Sequence, residues 1–308
     1  MKNILVLGAN GFLGSHFCKK LSEKKYKIYP VVRYTSNIDR FISLNNFKKI
    51  NILKYKDISE TKKIIKFIKN YNIKIIINFA AHGVLFKKKQ KSFETFNKTN
   101  FLDVKKLIKE CAGLNIERYV HIGTISEFGK QKNKIYEGLK EKAYDNYSLS
   151  KLNFTKYLKF NHNKKEVPYT LLRLFPVYGP LENNKKLFPY IIKSLSKNSK
   201  VKLTSGNQIR NYTYVDDMNI AIIKCLETEK TINKSLIIGN EKSYTLKKIV
   251  YKILEVMNKE KSLIEWNNIK RKDESINFIP FLKKTKNLIK WKSKISLEIG
   301  IKKMLKFR

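Results

Sequence analysis

Short aliphatic runs alternate with stretches of helical period through the first two-thirds of the chain. Asn3 to Leu7 reads as a first strand, Phe12 to Lys24 as a helix and Lys27 to Val32 as a second strand. A weaker strand lies near Ile50 to Leu53, and a helical stretch runs from Thr61 to Asn70. Lys74 to Phe79, with Ile75-Ile76-Ile77 inside it, has the continuous apolar character of a strand buried on both faces. Phe93 to Ala112 predicts one long helix ended near Gly113. Arg118 to Ile122 and Tyr169 to Leu174 read as strands, with a helix over Ser148 to Phe160 between them. Repeated strand–helix–strand units predict an α/β fold, a doubly wound parallel sheet with helices on both faces.

Pro176, Gly179 and Pro180 then punctuate the chain, and the pattern changes. Phe188 to Leu195 and Asp217 to Leu226 read as helices, Val201 to Leu203 as a short strand, and Leu246 to Met257 and Leu297 to Leu305 as closing helices. Ser235 to Ile238 is suited to return to the main sheet. The expected organisation is a sheet domain over residues 1–175, with a returning segment near 211–240, and a smaller C-terminal substrate-binding lobe made of 176–210 and 241–308. A ligand would sit at the carboxyl edge of the sheet, under that lobe.

Composition narrows the function classes. No apolar run approaches the ~20 residues that cross a bilayer, so no membrane span is expected. The apolar start runs straight into glycines without a signal-peptide pattern, and a cytoplasmic location is expected. Cys18, Cys111 and Cys225 are widely spaced and odd in number, which implies neither a disulfide framework nor a zinc site. The formal charge of +41 has two readings: attraction of nucleic acid or an acidic substrate, or a bias of composition. Only seven of the 66 basic residues are Arg, Lys is spread over nearly every segment, and the tightest cluster, Lys87-Lys88-Lys89-Gln90-Lys91, is short. Bias is therefore expected, with no nucleic-acid partner, although an anionic substrate would benefit from the field.

Two patterns carry chemistry. Gly8-Ala9-Asn10-Gly11-Phe12-Leu13-Gly14 follows the first strand and opens the first helix. Glycine permits the tight turn, close approach to a pyrophosphate and close helix–strand packing, and the helix N-terminus offers free N–H groups to phosphate. The context is that of a dinucleotide-binding loop. The second pattern is Tyr147-Ser148-Leu149-Ser150-Lys151. On a helix, residues four apart share a face, so a phenol and an ammonium stand side by side. A phenol titrates near pH ~10 in water, and a neighbouring cation is expected to pull that value down, making an acid/base pair for alcohol–ketone interconversion.

With the spacing G-x-x-G-x-x-G, the chain resembles the extended short-chain dehydrogenase/reductase family, Rossmann-type proteins whose members mostly act on nucleotide sugars. The resemblance covers nearly the whole chain. It implies that Gly8, Asn10, Gly11, Phe12, Leu13 and Gly14 hold a nicotinamide dinucleotide, that Asp57 and Ile58 contact its adenine, and that Asn78-Phe79-Ala80-Ala81 passes along it. Asn100 matches a family Asn near the nicotinamide half, and Phe175 lies in the matching Arg173-Leu174-Phe175-Pro176-Val177-Tyr178-Gly179-Pro180. Gly123-Thr124-Ile125-Ser126-Glu127-Phe128-Gly129 matches the segment with the active-site hydroxyl. Tyr147 is thereby implied as proton donor/acceptor, Lys151 as the residue that holds the ribose and lowers the Tyr147 pKa, and Thr124 as the hydrogen-bond partner of the reacting oxygen. Family members often form homodimers through a helix bundle that includes the Tyr–Lys helix, so a homodimer is a possibility here.

Cofactor and reaction follow from departures within the motifs. A NAD(H)-preferring member ends its second strand in an acid; here the end reads Val31-Val32-Arg33-Tyr34. Arg33 could pair with a 2′-phosphate or stack on adenine; NADP(H) is favoured and NAD(H) remains possible. The acidic pair that a 4,6-dehydratase carries after its Thr is replaced by Ile125-Ser126, and the common Asn of the Arg-x-Phe run is replaced by Pro176. The stretches around Lys186 and Arg210 look most like the 4-ketoreductases of CDP- or dTDP-linked deoxy sugars, with an NAD(P)-dependent nucleotide-sugar epimerase as the alternative in the same class and a non-catalytic NADP-sensing or nucleic-acid-binding protein on the same fold as the alternative in another. By that resemblance Arg210 binds the substrate diphosphate with help from Lys186 and Arg271; Arg210 could instead be a salt-bridge partner of Asp216 or Asp217. Glu127 reads equally as a second acid/base or a solvated loop residue, and His82 as a ligand contact or a structural side chain. His16 and His162 have no metal-ligand spacing, and no metal is expected.

Overall fold

The computed structural model of the protein describes residues 2–24, 26–44, 51–83, 92–131, 133–161, 167–270 and 276–307. The lysine cluster at 87–91, His162 and Arg271 lie outside the described residues. A seven-stranded sheet forms the centre, built from β1 (Lys2–Leu7), β2 (Tyr26–Arg33), β3 (Leu53–Tyr55), β4 (Ile75–Asn78), β5 (Arg118–Thr124), β6 (Tyr169–Leu174) and β11 (Lys234–Ile238). Its order is β11-β6-β5-β4-β1-β2-β3, and every neighbouring pair is parallel. The third strand runs from Leu53 to Tyr55, its extent set by pairing with Val31, Val32 and Arg33; Ile50 lies outside the described residues.

The strands read as apolar runs because both faces are covered. Ile4, Val6, Ile75, Ile77, Val120 and Ile122 face one way, against α1 (Phe12–Ser22) and α8 (Val215–Glu227). Leu5, Leu7, Ile76, Tyr119 and Leu171 face the other way, against α3 (Thr61–Asn70), α5 (Asp103–Cys111) and α6 (Asn146–Asn161). Arg118 is buried at the start of β5 and donates through Nη1 to the carbonyls of Cys225 (2.8 Å) and Leu226 (2.7 Å). A cation there satisfies carbonyls that the end of α8 leaves open and complements its dipole. Cys18, Cys111 and Cys225 are all buried and free.

Short α2 (Asp39–Leu44) follows β2, and α4 (Phe93–Asn97) precedes α5. The long helix expected over Phe93 to Ala112 is interrupted by a π turn at Lys98–Leu102. Beyond β6, two-residue ladders replace long strands: β7 (Val177–Tyr178) with β10 (Thr213–Tyr214), β9 (Ile209–Arg210) with β12 (Tyr244–Thr245), and β8 (Val201–Lys202) with β13 (Ile264–Glu265). These ladders pack with α7 (Leu187–Ser196), α9 (Leu246–Met257) and α11 (Leu297–Lys306) around a separate apolar cluster that includes Phe188, Ile191, Val201, Ile249, Ile253 and Ile301. A further helix, α10 (Lys283–Ile289), has no counterpart in the sequence pattern; it buries only Thr285 and Ile289 and so shows no apolar stripe. The chain does return to the main sheet at β11, one residue earlier than expected. Asn211 ties this return to the lobe, donating to the carbonyls of Asn240 (2.8 Å) and Lys242 (3.1 Å).

Candidate active site

The glycine loop is built by exclusion. Gly8 sits at φ +73°, a region that disfavours side chains, and a Cβ there would lie 2.6 Å from the Ala80 nitrogen. At Gly14 a Cβ would lie 2.4 Å from the Gly8 carbonyl oxygen. Gly11 caps α1 without a side-chain hydrogen bond, and no acid stands in the first turn. The N–H groups of that turn are therefore left to a ligand, and the positive end of the helix faces it. Phe12 sits edge-on to His16 at 5.4 Å, and Leu13 packs on the core. These residues fit a dinucleotide diphosphate.

The carboxyl ends of the neighbouring strands hold the other expected cofactor residues. Arg33 ends β2 with an exposed side chain, and no acid stands beside it in β2. Asp57 Oδ1 accepts from the Ser59 hydroxyl, the main cause of its lowered pKa, and from the Ser59 N–H at 2.8 Å, and Ile58 is buried. Phe79 packs on Phe17, the Ala80 N–H donates to Asn78 Oδ1 at 2.9 Å, and Ala81 is exposed. Phe175 is buried at the end of β6.

Asn100 explains the π turn. Its Oδ1 accepts from the His82 N–H (2.7 Å), and its Nδ2 donates to the His82 carbonyl (3.1 Å) and to Ser150 Oγ (2.9 Å). One extra residue in the turn re-aims a side chain, which is why such bulges collect at functional sites. Asn100 thereby joins the end of β4 to the helix of Tyr147 and Lys151. The aromatic ring of His82 meets Phe96 edge-on at 5.3 Å, and Phe96 meets Tyr147 at 6.2 Å.

α6 begins at a cap. Asp145 Oδ1 accepts from the Ser148 N–H at 2.7 Å, and Ser148 Oγ donates to the Asp145 carbonyl at 3.0 Å. The helix then presents Tyr147, half-buried, and Lys151, 2% exposed, one turn apart. The expected lowering of the Tyr147 pKa is not what the structure shows. Burial pushes the phenol well up, and the Glu127 and Asp145 carboxylates push it further. Burial lowers Lys151 to about 8, with Glu127 opposing the fall. Desolvation disfavours both charged forms and is the largest effect on each group.

Thr124 ends β5 and caps the following 3-10 turn, its Oγ1 accepting from the Ser126 N–H at 3.3 Å. Ile125 is buried, so an apolar side chain fills the position directly after Thr124. Glu127 is neither a solvated loop residue nor an acid facing an open site, because it is fully buried. Its Oε1 accepts from the Thr124 N–H (2.8 Å); its Oε2 accepts from Thr155 Oγ1 (2.7 Å) and Arg173 Nε (3.1 Å). Arg173 is fully buried as well; it also pairs with Glu141 and lies over the Phe128 ring at 4.4 Å. Removing one partner of such a pair costs about 3–5 kcal/mol, since the other charge is left buried. Sequence reasoning did not foresee this cluster. The one available signal was Gly123, where a Cβ would lie 2.7 Å from Glu127 Oε1.

Of the residues expected to bind the substrate diphosphate, Lys186 and Arg210 lie among the described residues. Lys186 caps the start of α7 and raises no cap hydrogen bond from its side chain. Arg210 is buried and donates through Nη1 to the carbonyls of Ile209 (3.1 Å) and Ile276, with Phe278 5.1 Å from its guanidinium. Asp217 accepts from the N–H groups of Lys294 (2.9 Å) and Ile295 (2.7 Å), and Asp216 pairs with Lys303 at 3.5 Å. His16 Nε2 lies 2.9 Å from the Pro180 carbonyl and ties α1 to the segment after β7. No cluster of metal-ligating side chains occurs among the described residues.

Residues 4–239 match the profile of the NAD dependent epimerase/dehydratase family. The chain is 26% identical over 309 residues to a CDP-abequose synthase of Salmonella muenchen, covering 100% of this chain and 98% of that protein. It is 24% identical over 306 residues to YtcB of Bacillus subtilis, described as an uncharacterized UDP-glucose epimerase, covering 97% and 95%. The crystal structure of dTDP-glucose 4,6-dehydratase from Bacillus anthracis in complex with NAD superposes with a TM-score of 0.88 at 23% identity, covering 100% of this chain and 96% of that one.

Proposed function

We propose that this chain, which belongs to the NAD dependent epimerase/dehydratase family, is an NADPH-dependent reductase of a CDP- or dTDP-linked 4-keto-6-deoxyhexose in cell-surface polysaccharide biosynthesis. Tyr147 is the proton donor in this reading: burial and nearby carboxylates favour its protonated form, which can give a proton to a carbonyl oxygen. Ile125 and Ser126 after Thr124 leave no acid pair there for an elimination. The similarity to a CDP-abequose synthase supports the substrate class.

In this reading residues 1–175 and 211–240 hold the cofactor, and 176–210 with 241–308 close over the sugar nucleotide. The glycine loop receives the diphosphate, Arg33 the 2′-phosphate, Asp57 and Ile58 the adenine, and Phe79, Ala80, Ala81, Asn100 and Phe175 line the path to the nicotinamide. When bound, the cofactor supplies the hydride. Tyr147 donates its proton to the sugar carbonyl, Thr124 Oγ1 hydrogen-bonds the same oxygen, and Lys151 holds the ribose. Lys186 and Arg210, with Arg271 beyond the described residues, serve the substrate diphosphate. A homodimer would cover Leu149 and Phe160, exposed apolar side chains on α6.

NADPH consumption against a panel of CDP-, dTDP-, GDP- and UDP-linked 4-keto sugars tests the proposal. One member should be reduced stoichiometrically, and Tyr147→Phe should lower kcat by about 10²–10⁴-fold while still binding NADPH. Interconversion of sugars without net cofactor use would replace the reductase by an epimerase, the second reading, which similarity to YtcB favours.

A further inference from the structure

We propose that Glu127 is the positioning residue of the active site: its buried carboxylate locks Thr124 and the helix of Tyr147 and Lys151 in one register and supplies the fixed negative charge they face. This rests on the reductive reading above. The geometry is a three-way clamp. Oε1 takes the Thr124 N–H at the end of β5, and Oε2 takes Thr155 Oγ1 on α6 and Arg173 Nε on β6. Thr155 lies one turn beyond Lys151 on the same helix, so the carboxylate grips the helix beside its working residues.

The chain is shaped around this carboxylate. β5 and β6 pair Gly123 directly with Arg173, and Glu127 folds back over that pair where Gly123 lacks a side chain. Arg173 is held in turn by Glu141, which also pairs with Lys159 at 2.5 Å further along α6. The charge of the clamp reaches both candidate catalytic groups. Glu127 raises Lys151 against the effect of burial and raises Tyr147 along with it. The other titratable groups around the cluster are Arg173 from β6, His121 from β5, kept uncharged by burial, and Tyr144, Asp145 and Glu141 from the segment before α6.

The sign of the effect follows. Glu127→Gln removes an anion, so the pKa values of Lys151 and Tyr147 both fall, and the protons of the pair are lost at lower pH. The basic limb of the kcat/KM profile should move down by about one pH unit, in line with one nearby charge. NADPH affinity, read by fluorescence titration, should change by less than about threefold, because the glycine loop is untouched. Thr155→Val removes one arm of the clamp and no charge. It should lower kcat about tenfold, leave KM for the sugar within about twofold, and leave the pH profile in place, the size expected for a misplaced catalytic group. The proposal is overturned if folded Glu127→Gln keeps the wild-type pH profile. Should that variant fail to fold, Thr155→Val alone decides, and an unchanged kcat rejects the clamp. Failure of the reductive reading is separable: the wild type would then interconvert sugars without net NADPH use, whatever Glu127→Gln does to the pH profile.

Discussion

The glycine loop and the Glu127–Arg173 cluster lie two strands apart in one sheet, at the carboxyl ends of β1 and β5. They prepare the same site by opposite means. The loop works through missing side chains: Gly8 and Gly14 leave backbone where a Cβ would collide, and the helix behind them keeps its N–H groups open. The cluster works through filled space: two fully buried charges pair with each other, Glu127 also takes hydrogen bonds from Thr124 and Thr155, and Arg173 also pairs with Glu141, while Arg173 Nη1 is buried without a partner. Backbone binding tolerates changes in the surrounding charge. A buried ion pair tolerates few, because removing one member leaves the other's charge without its opposite in a site that excludes water.

Three substitutions would sharpen or break that contrast. Gly14→Ala should have the largest effect on the loop. Elsewhere in a helix this change is favourable, but here the new methyl meets the Gly8 oxygen at 2.4 Å and the backbone must move. We expect about 1–3 kcal/mol of lost stability in denaturant titration and at least a tenfold weaker NADPH complex. Normal cofactor binding would show that the loop is not built by exclusion. Arg33→Asp should act on specificity alone, since the side chain is exposed and surface changes usually cost under about 0.5 kcal/mol. The ratio of NADPH to NADH affinity should fall by about 10–100-fold, the worth of one or two charge-assisted hydrogen bonds. A wild type that already prefers NADH would remove the case for Arg33. Glu298→Gln, which breaks the exposed Lys302–Glu298 pair on α11, should leave both the unfolding midpoint and the activity where they were. A measurable loss there would mean that surface pairs matter in this lysine-rich chain as buried ones do.

How far the sequence could be read depended on how local the physics was. Strands β1, β4 and β6 announced themselves as apolar runs because the sheet is covered on both faces. Loop, Tyr147 and Lys151 were visible because their geometry depends on spacing within one turn or one helix. Of the strands in the two-residue ladders only β8 was visible, as the short strand near Val201; the others and α10 were not, since each is stabilised by distant partners and carries too few residues for a period to show. The π turn at Asn100 was invisible for a related reason: its helix pattern is unbroken, and the turn answers to His82 and Ser150.

Glu127 marks the boundary most clearly. Its identity was plain, but its environment depends on Arg173, 46 residues later, on the adjacent strand. The pKa of Tyr147 has the same dependence. Spacing alone placed a cation beside it and implied a lowered value; folding buried Lys151 and half-buried Tyr147, and desolvation reversed the sign. The sequence by itself determined the alternation of strands and helices, the glycine loop and the one-turn spacing of Tyr147 and Lys151, because backbone sterics and helical period act over a few residues. Tertiary structure alone decided which charges face that pair and how strongly water is excluded from it, because electrostatic energy depends on distance and burial that no local pattern encodes.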